Sequence, residues 1–95
     1  MRRYNFRIRV EDDVNVEEVH SKFSALLRDF IEITEAEAVE EKDNVENGNG
    51  IITRRQKFKG EDIDGNPMAG EIYEREVLRA GHVISYTVEV EAWEE

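Results

Sequence analysis

The chain has 95 residues, with 13 lysines and arginines against 23 aspartates and glutamates and no cysteine. That length makes one domain, residues 1–95, with room for a single core. Disulfides and thiolate metal sites are excluded, and a formal charge of −10 disfavours nonspecific binding to nucleic acid, which calls for a basic surface. The start, MRRYNFRIRV, has arginines but no long apolar run behind them, so it makes a poor signal peptide. No later segment has the length and hydropathy of a membrane span, and nothing points to an oxidising compartment. A soluble, cytoplasmic protein that meets no membrane is the expectation.

Tyr4, Phe6, Ile8 and Val10 alternate with Arg3, Asn5, Arg7 and Arg9, the pattern of a strand that is apolar on one face and cationic on the other. Glu11, Asp12 and Asp13 then turn the chain toward a helix, where their carboxylates lie beside the positive end of its dipole. The helix, over about 15–31, organises the rest of the chain. Val16, Val19, Phe23, Leu26, Leu27 and Phe30 recur at spacings of three and four and form one apolar stripe. Asn15 caps it, Glu18 completes a capping box, and Val14 can staple onto Val19. At about 1.5–3 kcal/mol per large side chain, burying the stripe is worth on the order of 10 kcal/mol, given a surface to cover. The other segments read as strands, so that surface is a sheet.

Residues 31–41 suit either a prolonged helix, since Ala and Glu are good helix formers, or a strand, since they alternate and include Ile33 and Thr34. The stripe loses its period after Phe30, and the turn-rich 43–50 precedes another strand-like run; both favour the strand. Segments 33–42 and 51–59 then form a hairpin through Asn47-Gly48-Asn49-Gly50, whose Asn-Gly pairs supply positive φ. Glu35, Glu37, Glu40 and Glu41 on one arm match Arg54, Arg55, Lys57 and Lys59 on the other, so charge blocks of opposite sign pair across strands. Residues 60–70 read as a loop with Asp64-Gly65-Asn66-Pro67 as its turn. A second hairpin joins 71–79 to 82–93 around Ala80-Gly81. Ile84, Tyr86, Val88, Val90 and Ala92 share one face of the last strand, which belongs at the centre or against the helix. In the strand before it, Ile72 and Leu78 share parity with Glu74 and Glu76, which suggests an edge or a bulge. The predicted class is α+β: a single helix packed on one face of an antiparallel sheet, in the order β-α-β-β-β-β.

No stretch carries a family motif, and no catalytic, metal-ligating or cofactor-binding residue is assigned. His20 falls on the polar side of the helix and His82 at a hairpin turn, and both read as exposed. Asp62-Ile63-Asp64-Gly65-Asn66 offers alternate oxygen ligands, but Pro67 follows at once and turn chemistry already accounts for these residues. The Gly-rich 47–50 lacks the Lys-Ser/Thr and the helix of a phosphate cradle. Ser21, Ser24 and Ser85 have no nucleophile context.

Three functional readings follow. The first is a non-catalytic interaction protein whose partner is another protein or a second copy of itself, as a homodimer, working through a sheet edge or an exposed patch at Val83 and Trp93. A specific form of it is an acidic inhibitor that imitates nucleic acid. The second is a small-molecule binder or enzyme with a pocket between helix and sheet, for which Tyr4, Tyr73, Glu74, Glu76 and Tyr86 are the expected polar groups. The third is a nucleic-acid-binding sheet. If the first and third strands are neighbours, Arg7, Arg9, Arg55 and Lys57 form a cationic surface with Arg3 and Lys59, but no outward aromatic lies among them.

Overall fold

The computed structural model describes residues 2–95. They form β1 (Arg3–Glu11), α1 (Val16–Arg28), β2 (Ile31–Glu46), β3 (Asn49–Asp62), β4 (Pro67–Arg79) and β5 (His82–Glu94). All five strands belong to one antiparallel sheet in the order β1-β5-β4-β3-β2, so the α+β expectation holds. The first and last members of that order are joined through α1, which packs on one face of the sheet. No helix of the described residues is long and apolar enough to cross a membrane.

The helix begins where the capping residue places it. Asn15 has extended backbone angles, and its side-chain oxygen accepts the Glu18 N–H at 3.1 Å. Two consecutive left-handed residues, Asp12 and Asp13, turn the chain out of β1, a conformation that Asp tolerates better than most residues. The Asp12 and Val14 N–H groups donate to the carbonyls of Ile84 and Val83, tying this turn to the start of β5. At the other end the Asp29 and Phe30 N–H groups donate to Leu26 and Leu27, tightening the last turn, and Ile31 already lies buried in β2. Residues 31–41 are therefore strand throughout, not a helical extension.

Phe23 and Leu27 of α1 are buried against Ile72, Tyr86, Val88, Val90 and Ala92 of the two central strands. Phe6 of β1 meets Phe23 with ring centres 5.4 Å apart, and Tyr4 meets Phe30 at 5.6 Å. The helix thus lies over the β1–β5–β4 side of the sheet. Phe58 of β3 reaches the same core by lying over Gly70 of β4, where a Cβ would overlap its ring and the Glu91 carbonyl oxygen.

Both hairpins turn as their sequences require. Asn47 and Gly48 have φ of 55° and 77°, Ala80 and Gly81 have 51° and 79°, and the Gly81 N–H donates to the Gly48 carbonyl, locking the two turns together. Three expectations need correction. The strands of the first hairpin run well past 33–42 and 51–59, and the 60–70 loop shrinks to the four residues between β3 and β4. The strand bearing Glu74 and Glu76 is no edge, because β4 lies between β3 and β5 and its irregularity is a bulge between Val77 and Leu78. The first and third strands are not neighbours either, since β5 and β4 separate them.

Candidate functional site

Because α1 covers one side of its face of the sheet, a cleft remains between its other flank and the strands β3 and β2. It has an apolar part and a polar part. Phe23, Leu27, Ile31, Ile33 and Ile72 line the first, a space of about 610 Å³. Val16, Glu17, Arg54, Glu74 and Tyr86 line the second, of about 600 Å³, and both share His20 and Gln56 as walls. Spaces of this size suit small molecules.

The polar end is built by strand alternation. Ile72, Glu74 and Glu76 lie on the same face of β4, and the register places Arg54 of β3 opposite Glu74. Glu74 and Glu76 are only 7% and 8% exposed, so the mixed face of β4 is turned away from solvent at both positions. The Arg54 guanidinium donates to Glu76 Oε2 at 2.7 Å and stands 3.5 Å from Glu74 Oε2 and from Glu41 Oε1. The hydrogen bond to Glu76 outweighs burial and holds the Arg54 pKa above its ordinary value. His20 Nε2 lies 3.2 Å from Glu74 Oε1. Tyr86 is fully buried, and its hydroxyl has no hydrogen-bond partner among the described residues. Burial first, and then the negative charge of Glu74 and Glu76, hold its phenol well above the usual range, so it is a neutral donor and acceptor. Glu74 is near enough to act on that oxygen both through its charge and as a hydrogen-bond acceptor, although the contact falls short of full hydrogen-bonding geometry.

Of the five expected pocket residues, Glu74, Glu76 and Tyr86 come together, and the other two do not. Tyr4 packs in the aromatic group beneath the far end of α1. Tyr73 lies on the outer face of the sheet, away from the helix, where the Arg55 guanidinium stands 5.5 Å from its ring centre. His20 and Arg54 join the site although the sequence reading left both out of it. His20 is exposed, as expected, with half of its side chain accessible; its place in the series Val16, His20, Phe23, Leu27, spaced four, three and four, sets it at the border of the packed side of the helix, within reach of Glu74. For Arg54 the signal is parity with the core residue Phe58.

The outer face mixes its charges. The register sets Arg7, Glu89, Tyr73, Arg55 and Glu40 in one row across all five strands, and Asn5, Glu91, Glu71, Lys57 and Glu37 in the next. Arg7 and Arg9 on β1 are therefore separated from Arg55 and Lys57 on β3 by columns that include three glutamates, and the single cationic surface does not form. Trp93 is half-buried on this face, beside Lys57, Lys59 and Glu71 around a hollow of about 420 Å³. Val83 is half-buried and packs against the core, and its carbonyl accepts from Val14.

Asp62 belongs to the β3–β4 turn. Its side chain is wholly buried and accepts the backbone N–H groups of Asp64 and Asn66 at 2.9 Å, the Asn66 amide at 3.1 Å, and Arg2 at 3.2 Å. Arg2 also pairs with Asp64. The turn is thus closed by internal donors, and among the described residues no group of three or more His, Asp or Glu is placed to hold a metal ion. No family model, curated protein or solved structure matches this chain.

Proposed function

We propose that the protein binds a small amphipathic molecule in the cleft beside α1. Its apolar part would lie against Phe23, Leu27, Ile31 and Ile72, and its polar end at His20, Gln56, Glu74 and Tyr86. The observation that carries this reading is the Tyr86 hydroxyl, buried and unpartnered at the wall of the cleft. Such a group costs about 1–3 kcal/mol, and phenylalanine would fill the same space without that cost. A ligand that hydrogen-bonds to it recovers the loss. Protein-observed NMR against a library of small amphiphiles is the test. Saturable shifts confined to His20, Gln56, Ile72 and Tyr86 are expected; hits that perturb only the outer face would refute the reading.

A second reading is association of copies edge to edge, β1 of one against β2 of the next. What favours it is opposite charge, since the outer face of β1 bears Arg3, Arg7 and Arg9 and that of β2 bears Glu35, Glu37 and Glu40. The joint is heterologous and leads to chains or rings, not to a closed dimer. Against it stand two bulges in β2, a device that blunts edges. Light scattering at low and moderate salt decides the matter. Salt-sensitive assembly supports this reading, and a monomer at both salts removes it.

A further inference from the structure

We infer that the polar end of the ligand is an ammonium group whose counterion is Glu74, and that the ligand is therefore a primary amine on an apolar body. This inference rests on the cleft reading above.

The charges at the polar end do not balance. Three carboxylates, Glu41, Glu74 and Glu76, surround the single guanidinium of Arg54. Glu76 holds that guanidinium at 2.7 Å, whereas Glu74 stands back at 3.5 Å. The other contact of Glu74 is His20, a cation only when protonated. With His20 neutral, the one cation near the nearly buried Glu74 is Arg54 at 3.5 Å, which Glu76 holds more closely, and Glu17 at the rim adds to the negative potential. A buried charge in that state strongly favours a positive partner. A carboxylate or phosphate head in the same place would face Glu74 and Glu76, whose like charge repels it.

Hydrogen bonding points the same way. An ammonium group has three donors and no acceptor. Three of the residues lining this end carry acceptor atoms: Tyr86 with its hydroxyl, Glu74 with its carboxylate and Gln56 with its amide. The Tyr86 hydroxyl is the independent mark of a missing partner, since it is fully buried and makes no well-formed hydrogen bond within the described residues, Glu74 being only an imperfect acceptor for it. Beyond His20 the wall turns apolar along α1 as far as Leu27, about 10 Å at ~1.5 Å per residue, which suits an aliphatic chain of medium length.

The test is an NMR and calorimetric titration of the full chain at neutral pH with three probes of equal length, octylamine, octan-1-ol and octanoate, all kept monomeric. Octylamine is expected to shift His20, Gln56 and Tyr86 and to bind at least about tenfold more tightly than octanol, with octanoate weakest. Glu74→Gln is expected to remove the advantage of the amine and leave octanol unchanged. His20→Lys, which tethers an ammonium beside Glu74, is expected to do the same and serves where the first variant does not fold. Equal binding of octylamine and octanol overturns the ammonium assignment and leaves the cleft reading standing. Tightest binding by octanoate overturns it as well, in favour of Arg54 and His20 as the head contacts. Shifts from none of the three overturn the cleft reading and the ammonium together.

Discussion

Replacing Tyr86 by phenylalanine removes one oxygen from the centre of the molecule and leaves the ring where it is. In most proteins this change destabilises, because a buried tyrosine hydroxyl has a partner and the loss of that hydrogen bond is worth about 1 kcal/mol. Here the sign reverses. The side chain is fully buried, its hydroxyl makes no well-formed hydrogen bond among the described residues, and Glu74, close by, is an imperfect acceptor for it. An unsatisfied buried hydroxyl costs about 1–3 kcal/mol, and the space left by a single oxygen returns only part of that gain. Tyr86→Phe is therefore expected to stabilise the free protein by about 1 kcal/mol. In a domain of 95 residues that raises the melting temperature by about 4–8 °C. Paired urea and thermal unfolding of the two proteins measures it, with an unchanged urea slope showing that the denatured state is the same. The same variant is expected to lose affinity for any ligand of the cleft, the usual opposition between stability and function at a binding site. A Tyr86→Phe protein less stable than the parent by 1 kcal/mol or more would refute the reasoning, since the hydroxyl would then have a partner within the fold.

The remaining predictions concern the groups around that hydroxyl and the turns that frame the sheet. Arg54→Met leaves Glu74 and Glu76 without a guanidinium, and because Arg54 is itself partly solvated the expected loss is about 2 kcal/mol, less than for a fully buried pair. The double variant Arg54→Met, Glu76→Gln should lose less than Arg54→Met alone, a non-additivity that urea unfolding of all three proteins detects. Gly70→Ala drives a Cβ into the Phe58 ring and the Glu91 carbonyl, and should cost about 1–3 kcal/mol, read as a lower urea midpoint. Asp62 links stability to pH. Burial alone would raise its pKa, but the backbone N–H and side-chain amide of Asn66, the backbone of Asp64 and the charge of Arg2 together hold it below the ordinary carboxylate value. Its contribution is therefore present above roughly pH 4, where the unfolded group is ionised, and is lost as pH falls through the lowered folded value. Asp62→Asn should be less stable than the parent at pH 7, with the difference shrinking in acid; a constant difference across a pH series of urea unfolding curves would contradict this account.

The parts of this fold that were legible in the sequence depend on local rules. Asn15 and Glu18 mark the start of α1 because capping involves only neighbouring backbone groups. Asn47-Gly48 and Ala80-Gly81 mark the hairpins because the turns require left-handed backbone, and the inward face of β5 follows from alternation alone. What depends on strand order was not legible. The mixed face of β4 was seen as a sign of an edge or a bulge, and it is the second; but Glu74 and Glu76 are buried because β4 lies between β3 and β5, which parity cannot tell. The cationic surface failed for the same reason, as β1 and β3 lie two strands apart. The exposure of His20 follows from the sequence, but its closeness to Glu74 does not, for a different reason. The apolar stripe centres on Phe23 and Leu27, while Leu26 and Phe30 are more than a third exposed, so the buried side is rotated toward His20 relative to a count of apolar residues.

That rotation bears on what the polar cluster is for. A buried group of two glutamates and an arginine is a poor stabiliser, because desolvation offsets most of the attraction between the charges, and apolar residues of similar volume serve as well or better. Ile72, next on the same face of β4, and Phe58, on the same face of β3, show that apolar side chains are accommodated on this face. A domain of this size has only a few kcal/mol to spare. In this chain the group stands at one place, where α1 leaves the sheet uncovered, with a histidine on the helix side and an unsatisfied hydroxyl beneath it. Stability does not explain that placement, whereas the proposed ammonium ligand would, and loss of the octylamine advantage in Glu74→Gln is the result that ties the two together.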